Sequence, residues 1–285
     1  MCIFLHLSKN SIYLILKKTY LILIFFSLII SPLKIEGQIN QENKKNSSNS
    51  AFKNGEWLQF RLHYGVFNAS YASLTLSSDI INNESVIHAK GYGRTSGLAR
   101  LFFRVEDHYE SYFNEEKIQP LRFIRKIDEG GYTKNKVVNF DHKNSFAYVN
   151  DIKNNKQSKY NISLNTQDVI STFYYLRNHI PSRKLIPNES FKVNIFFDDE
   201  PFEFKIKYLG AENIETKFGK IECLKFIPVV QIGRVFKERE SIVLWVSNDL
   251  NKIPIRVQAD IAIGSIKCDL ENFKNIKHPF KIRVD

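Results

Sequence analysis

Alternation of apolar and polar side chains constrains the fold of this chain more than any other feature of its sequence. From residue 55 onward, short stretches carry apolar residues at every second position, with polar residues between them. This period of two places successive side chains on opposite faces of a strand, which is typical of antiparallel strands that bury one face. The clearest stretches are residues 58–64, 202–208 and 253–258.

Turn-forming residues separate the alternating stretches at short intervals. Many short strands with regular turns favour an all-β fold, mainly antiparallel, built as a large curved sheet or a barrel-like domain with one or two short helices. Residues 95–103 and 166–178 have helical spacing instead, and Thr166 is the expected N-cap of the second helix, with Asp168 in its first turn. The turn signals fall at residues 82–83, 128–131, 141–144, 198–201, 218–220 and 247–249.

The N-terminal segment differs from the rest of the chain. Three lysines precede an apolar run at residues 20–30, which Pro32 ends. The run is about half the ~20 apolar residues that a membrane span needs, and the pattern is typical of a secretory signal peptide. We predict a cleavable signal peptide over residues 1–37, with an uncleaved anchor as the alternative, and a mature chain that begins near Gln38. Location in the periplasm or on the periplasmic face of the outer membrane follows, with secretion less favoured.

Composition divides the remaining chain into a linker and a domain. Residues 38–53 are mainly Asn, Ser, Lys and Gln, with too little apolar surface to offset the entropy lost on ordering. This segment is predicted to be a disordered polar linker. Residues 54–285 show no internal repeat and suffice for one large sheet or barrel, so a single β-barrel-like domain is predicted.

The chain is basic, with 41 Lys and Arg against 30 Asp and Glu and a net charge of +11. No nucleic-acid recognition motif accompanies this charge, so nucleic acid is not an expected partner. An anionic lipid or glycan surface suits the charge better, although a Lys-rich composition accounts for it equally well.

Two cysteines, Cys223 and Cys268, lie beyond the predicted signal peptide. An exported protein can form a disulfide between them, but nothing in their spacing requires it. Cys268 alternates with apolar residues and is expected to point inward as a small buried side chain. Whether the two cysteines pair is left open.

One strand carries the most catalysis-like pattern in the sequence. Glu106, His108 and Glu110 share one face of a predicted strand, and Asp107 lies on the other. A carboxylate beside an imidazole can tune it as a general base, yet a solvated strand face has the same pattern. Glu106 and His108 are therefore weak catalytic candidates, and no catalytic residue is assigned.

Two further patterns are interpreted as structural. The acidic residues at 198–200 resemble oxygen ligands for a hard cation, but they lie between two apolar runs and no further ligand follows at a set offset, which favours a hairpin turn. Glycines 91, 93 and 97 resemble a dinucleotide loop, but the third glycine is one residue late and no parallel βαβ unit surrounds it. No metal and no cofactor are predicted.

Aromatic residues make up 13% of the chain. Packing in a β-core accounts for most of them, but a barrel of this size can also hold a ligand cavity. Trp57 and Trp245 are expected core anchors. Trp245 has the stronger case, since it lies in the continuous apolar run at residues 242–246, which is typical of a strand covered on both faces.

Eight segments of the chain carry a resemblance to a known family, and they lie at residues 55–58, 64–69, 91–99, 105–112, 123–132, 196–200, 217–220 and 233–238. Together they resemble the Domain of Unknown Function 3108 family, exported proteins common in Bacteroidetes-type bacteria. The likeness covers about residues 52–280. It implies an antiparallel, barrel-like β architecture and an envelope location, and it carries over no catalytic residue.

The leading hypothesis is a non-catalytic envelope protein that binds an apolar or amphipathic component during outer-membrane assembly. Lipid, lipoprotein and lipid-linked glycan are the ligands considered. The hypothesis depends on predicted export, an all-β fold, aromatic content and the lack of catalytic motifs. The alternatives are a periplasmic hydrolase that uses the Glu106 and His108 strand face, and a purely structural protein-interaction module.

Overall fold

The computed structural model describes residues 50–229, 242–261 and 263–282. The predicted signal peptide, the predicted mature N terminus and most of the predicted linker lie outside the described residues. Within them the chain forms fourteen strands and two helices. The strands are β1 (Trp57–Tyr64), β2 (Phe67–Ile81), β3 (Glu84–Thr95), β4 (Val105–Phe113), β5 (Pro120–Glu129), β6 (Tyr132–Asp141), β7 (Phe146–Asp151), β8 (Lys156–Asn161), β9 (Ser190–Phe197), β10 (Glu200–Thr216), β11 (Gly219–Pro228), β12 (Ile242–Ser247), β13 (Pro254–Asp260) and β14 (Ser265–Lys274).

All fourteen strands belong to one sheet in which every neighbouring pair is antiparallel. Consecutive strands pair from β1 to β8 and from β9 to β14, and β1 also pairs with β14. The edge strands are β8 and β9, and an isolated bridge from Gln167, which follows β8, to Ile195 of β9 brings the two edges together. The predicted fold class, all-β and mainly antiparallel with a curved sheet, is confirmed.

The two helices are α1 (Gly97–Phe102) and α2 (Val169–His179). Asp168 is the N-cap of α2, since its carboxylate accepts hydrogen bonds from the backbone N–H groups of Ile170 and Ser171. The prediction of Thr166 as N-cap was wrong, because the Thr166 hydroxyl donates to the carbonyl of Ser163 in the preceding turn. Neither helix in the described part of the chain is long and apolar enough to cross a membrane.

The helix α2 packs against the inner face of the sheet. A Cβ atom on Gly91 of β3 would lie 3.1 Å from Cδ1 of Ile170, so glycine at this position allows the close approach of the helix. Tyr174 of α2 is fully buried at the centre of the largest core cluster. The sheet therefore curves around α2.

Ordered core begins before the predicted end of the polar linker at residue 53. Ala51 and Phe52 are both buried. The ring centroid of Phe52 lies 4.8 Å from that of Tyr174 and 6.3 Å from that of Phe113, so Phe52 packs into the space between α2 and β4. The boundary of the domain thus lies a few residues earlier than the composition indicates.

Because the strands form a meander, alternate connections lie at opposite ends of the sheet. One end, which we call the front end, holds the β1–β2, β3–β4, β5–β6, β7–β8, β9–β10 and β13–β14 connections of the described residues. The opposite end is the back end, and it is closed by α2, where Arg177 binds Glu56 just before β1. The front end has no comparable helix inserted in it within the described residues.

Candidate functional site

The inner face of the sheet contains a recess at mid-height. Phe60 of β1 points to this face and is half-buried, whereas its neighbours on the same face, Leu58 and Leu62, are fully buried. Side chains two positions apart share one face of a strand, and protein interiors are closely packed. A side chain between two buried neighbours regains solvent contact only where protein does not fill the space in front of it.

The same pattern occurs on six strands, β4, β2, β1, β14, β13 and β12, whereas Gly91 at the corresponding position of β3 lies against Ile170 of α2. On β13, for example, Val257 is half-buried between buried Ile255 and Ala259. We call these half-buried positions the recess. The recess residues are Tyr109, Leu74, Ala72, Phe60, Cys268, Val257 and Leu244.

The lining of the recess is almost wholly apolar, and Phe173 of α2 packs at its edge. Cys268 faces it between buried Ile266 and Leu270. Cys223 and Cys268 are both free thiols. Burial raises the pKa of each thiol to about 12, so both remain protonated at neutral pH.

A charged cluster lies on the inner face beside the recess, toward the front end. Arg125 of β5 is opposite Tyr109 of β4 in the strand register, and its guanidinium carbon lies 5.8 Å from the centre of the Tyr109 ring. Arg125 also donates a hydrogen bond of 2.7 Å to Asp198, which Lys134 of β6 contacts as well. Tyr109 thus connects the apolar recess to a buried cation.

The acidic residues at 198–200 form a hairpin turn, as predicted. Asp198 and Asp199 connect β9 to β10 with φ values of 51° and 69°, the left-handed conformation that two-residue hairpin turns require. In addition, Lys136 donates to Asp199. The turn therefore docks the β9–β10 hairpin onto β5 and β6 at the front end.

Two carboxyl groups share the charged cluster in buried surroundings. Asp107 of β4 is 2% exposed and Glu129 of β5 is 5% exposed. Burial, and next the charge of Glu129, raise the pKa of Asp107 to about 8, so Asp107 holds its proton at neutral pH. Oδ1 of Asp107 and Nε of Arg125 have no hydrogen-bond partner among the described residues. These polar atoms can serve a bound molecule.

We expect Asp107→Asn to remove a pH dependence of stability. The pKa of Asp107 is about 8 in the folded protein against 3.8 as the ordinary value, so the folded state retains a proton that the unfolded state loses. Wild-type stability therefore falls as pH rises from about 4 to about 8, and the variant lacks this fall. A tenfold difference in proton affinity between the folded and unfolded states corresponds to ~1.4 kcal/mol of stability. Urea unfolding at pH 5 and at pH 8 measures how the free energy of unfolding changes with pH.

The control for this prediction is Asp260→Asn, because Asp260 is exposed at the end of β13. This variant should differ from wild type by the same amount at both pH values. A stability difference between Asp107→Asn and wild type that does not change with pH would show that Asp107 is ionised in the folded protein.

The weak catalytic candidates lie on the outer face of β4. Glu106 accepts hydrogen bonds from Arg104 at 3.0 Å and from Arg100 at 3.3 Å, and these bonds lower its pKa. His108 is exposed and lies against the ring of Tyr92, at 4.7 Å between centroids. Glu110, from the same predicted face, bonds to His88 at 2.6 Å. Tyr92 also donates a hydrogen bond of 3.5 Å to Glu106, so Glu106 and His108 share this neighbour, on the outer face and away from the recess.

The charged cluster leaves a weak signal in the sequence, although it matches no catalytic motif. Asp107, Arg125 and Glu129 each occupy a position where alternation predicts an inward side chain, next to inward Val105, Phe123 and Ile127. A charged residue at an inward position is unusual unless it is paired. That irregularity is the feature by which the cluster could have been found.

The glycine pattern at residues 91–97 has a structural role. Gly91 and Gly93 lie within β3, and Gly97 begins α1 with a φ of 52°, which fits the predicted exit from a strand. Among the described residues, no group of three or more His, Cys, Asp or Glu side chains has the arrangement of a metal site.

Comparisons with known proteins give the following matches. The model of a family described as protein of unknown function (DUF3108) matches residues 59–271. No curated protein matches the sequence. Similar solved structures include a β-barrel-like protein of domain of unknown function DUF1849 from Brucella abortus, with 8% identity and a TM-score of 0.49 over 78% of this chain and 98% of that chain. Another is a DUF1089 family protein from Pseudomonas aeruginosa, with 11% identity and a TM-score of 0.35 over 68% of this chain and 92% of that chain.

Proposed function

We propose, from the premise that this chain belongs to the DUF3108 family of proteins of unknown function, that its β-domain is a non-catalytic binding domain for an amphipathic molecule of the cell envelope. A lipid, a lipoprotein acyl chain or a lipid-linked glycan has the required chemistry. The observation that carries the proposal is the recess, a set of half-buried apolar side chains between buried ones on six strands of the sheet.

The recess suits an apolar chain. Binding sites for small molecules are concave, mainly apolar and supplied with a few polar groups that fix orientation. Each CH₂ group that enters such a site from water contributes about 0.8 kcal/mol. The half-buried side chains of Phe60, Leu74 and Val257 are already partly exposed, so an apolar ligand can contact them without a rearrangement of the core.

The charged cluster supplies the polar end of the site. Arg125 is buried, and its Nη1 atom donates to Asp198. Its Nε atom, in contrast, has no hydrogen-bond partner among the described residues. A buried N–H group without a partner costs about 1–3 kcal/mol, and an anionic or carbonyl oxygen of a ligand would satisfy it. The arrangement therefore favours a molecule with an apolar tail and a polar head group.

The hydrolase alternative finds less support in these contacts. It would require Glu106 and His108 to face one substrate together, whereas Glu106 is held by Arg100 and Arg104 on the outer face. The location that we propose, the periplasm or the periplasmic face of the outer membrane, depends on the predicted signal peptide.

We expect Ala72→Phe to abolish most binding to the recess. Ala72 is the smallest side chain in the recess, and a benzyl group there would occupy the space that a ligand needs. Affinity for anilinonaphthalene sulfonate, an apolar ring system with an anionic group, should fall about tenfold or more, which corresponds to ~1.4 kcal/mol. Fluorescence titration measures the affinity, and a thermal melt checks that the variant remains folded.

The matched control is Ser73→Phe, which adds the same ring at the next residue of β2, on the outer face. It should bind the probe as wild type does. Native mass spectrometry of protein from its own envelope should also show a co-purifying amphipathic molecule in wild type and Ser73→Phe, but not in Ala72→Phe. Equal binding by both variants, or no binding by wild type, would favour the protein-interaction module instead.

A further inference from the structure

The front end of the sheet exposes an unusual number of large apolar side chains. Six of them, contributed by three connections, are each at least 58% exposed. Monomeric soluble proteins rarely expose contiguous apolar surface of this kind unless it serves an interaction. We call these side chains the front patch, and they are Val66, Phe67, Leu98, Leu101, Phe102 and Ile263.

Hydrogen bonds hold the three connections side by side. The backbone N–H of Ser96, just before α1, donates to the carbonyl of Ala69 in β2 at 3.0 Å. The hydroxyl of Tyr64, at the end of β1, donates to the carbonyl of Ile263 in the β13–β14 connection at 3.0 Å. The front patch is therefore one surface and not a set of scattered residues.

The helix α1 has no buried residue, although half of its side chains are large and apolar. Leu98, Leu101 and Phe102 have the i, i+3, i+4 spacing that puts side chains on one face of a helix. In a surface helix of a globular protein such a face normally packs on the core. Here that face is exposed to solvent, so its apolar surface is free to enter another apolar phase.

Basic residues border the front patch. Arg94, Arg100 and Arg104 lie before, within and after α1, with Glu106 as the acidic residue that pairs with the last two. Apolar side chains on turn tips beside arginines are typical of proteins that insert into the headgroup region of a membrane, where anionic lipid attracts the basic residues.

We propose that the front patch docks the protein on the surface of a bilayer that contains anionic phospholipid, with its apolar side chains at the boundary between head groups and acyl chains. A bilayer fits better than a protein partner because the apolar residues come from separate turn tips and the three arginines around α1 outnumber Glu106, the carboxylate that pairs with two of them. This inference does not require that the recess bind a ligand.

An environment-sensitive dye on the front patch tests the proposal directly. The full chain with Cys2→Ser, Cys268→Ser and Leu101→Cys is labelled with a nitrobenzoxadiazole dye, while Cys223 is buried. The control carries Leu164→Cys, which replaces a similarly exposed leucine at the back end, in the connection from β8 to α2. Vesicles of phosphatidylcholine mixed with phosphatidylglycerol should shift the emission of the first dye to the blue and leave the second unchanged.

The choice of a local dye separates docking by the front patch from any membrane affinity of residues 1–37, since both labelled proteins contain those residues. Equal shifts for the two dyes, or none for either, would overturn the proposal. A blue shift at position 101 that grows with protein concentration without vesicles would also overturn it, in favour of a second copy of this chain as the occupant.

Substitution supplies an independent measurement. The double variant Leu101→Ser with Phe102→Ser should bind the mixed vesicles about tenfold more weakly or worse, because burial of one such side chain is already worth that factor. Leu164→Ser should bind as wild type does, and pure phosphatidylcholine should bind wild type more weakly than the mixture. Ala72→Phe should keep vesicle binding, so that failure of the recess and failure of the front patch remain distinguishable.

Discussion

Arg177→Met is expected to destabilise the protein by about 3–5 kcal/mol, because it leaves a buried carboxylate without its partner. Arg177 of α2 donates to both carboxylate oxygens of Glu56, at 2.6 and 2.9 Å, and Glu56 is fully buried. The same guanidinium donates to the carbonyls of Asn251 and Ala51. It therefore joins α2, the segment before β1 and the β12–β13 connection.

Urea unfolding of matched variants measures this effect. The double variant Glu56→Gln with Arg177→Met should lose less stability than Arg177→Met alone, because no unpaired charge remains buried. Lys192→Met is the surface control, since its ion pair with Glu203 is about half exposed, and it should change stability by about 1 kcal/mol or less. A loss below ~1 kcal/mol in Arg177→Met would mean that the back end opens and lets water reach Glu56.

Trp245→Ala is expected to cost about 3–5 kcal/mol, because it leaves a cavity in addition to the lost transfer energy of the ring. Trp245 is 7% exposed and packs with Ile221 and Ile253 in a core cluster. No residue of β12 is exposed, which agrees with a strand covered on both faces. Its indole N–H donates to Glu212, whose side chain is 42% exposed and can bind water instead.

Trp57→Ala is the matched control for this prediction. Trp57 at the start of β1 is half-buried, and Lys274 lies 5.3 Å from its ring centre. Since part of its ring already contacts solvent, its removal should cost no more than about 2 kcal/mol. Equal losses for the two variants in urea unfolding would contradict the assignment of Trp245 as the core anchor of the pair.

The strands and turns were largely predictable because they depend on local periodicity. Alternation at residues 58–64 corresponds to β1, and the acidic residues at 198–200 correspond to the β9–β10 turn. The start of α2 was harder, because Thr166 and Asp168 are both good N-cap residues. Only the surroundings decide between them, since Asp168 also accepts a hydrogen bond from Ser111 of β4.

The recess could not be predicted from alternation. The pattern identifies Phe60 and Leu62 as inward residues in the same way, yet one is half-buried and the other buried. The difference in burial depends on how far α2 and the opposite strands reach across the interior. The side chains that fill this space belong to residues more than a hundred positions away in sequence. The sequence favours Glu106 and His108 over Asp107 for a related reason. The charged neighbours of Asp107 come from β5, about twenty residues away, and only the strand register brings them together.

The all-β class, the family and most element positions could be predicted, because side-chain periodicity, turn chemistry and motif similarity are properties of short segments. Which inward positions stay open, which charges meet inside the sheet and which apolar residues remain outside it depend on the packing of distant segments. Asp107 and Glu129 become neighbours through the β4–β5 register. Arg125 and Asp198 meet because the sheet curves and brings the β9–β10 turn to β5. Such contacts depend on the packing of whole elements, which no local pattern encodes.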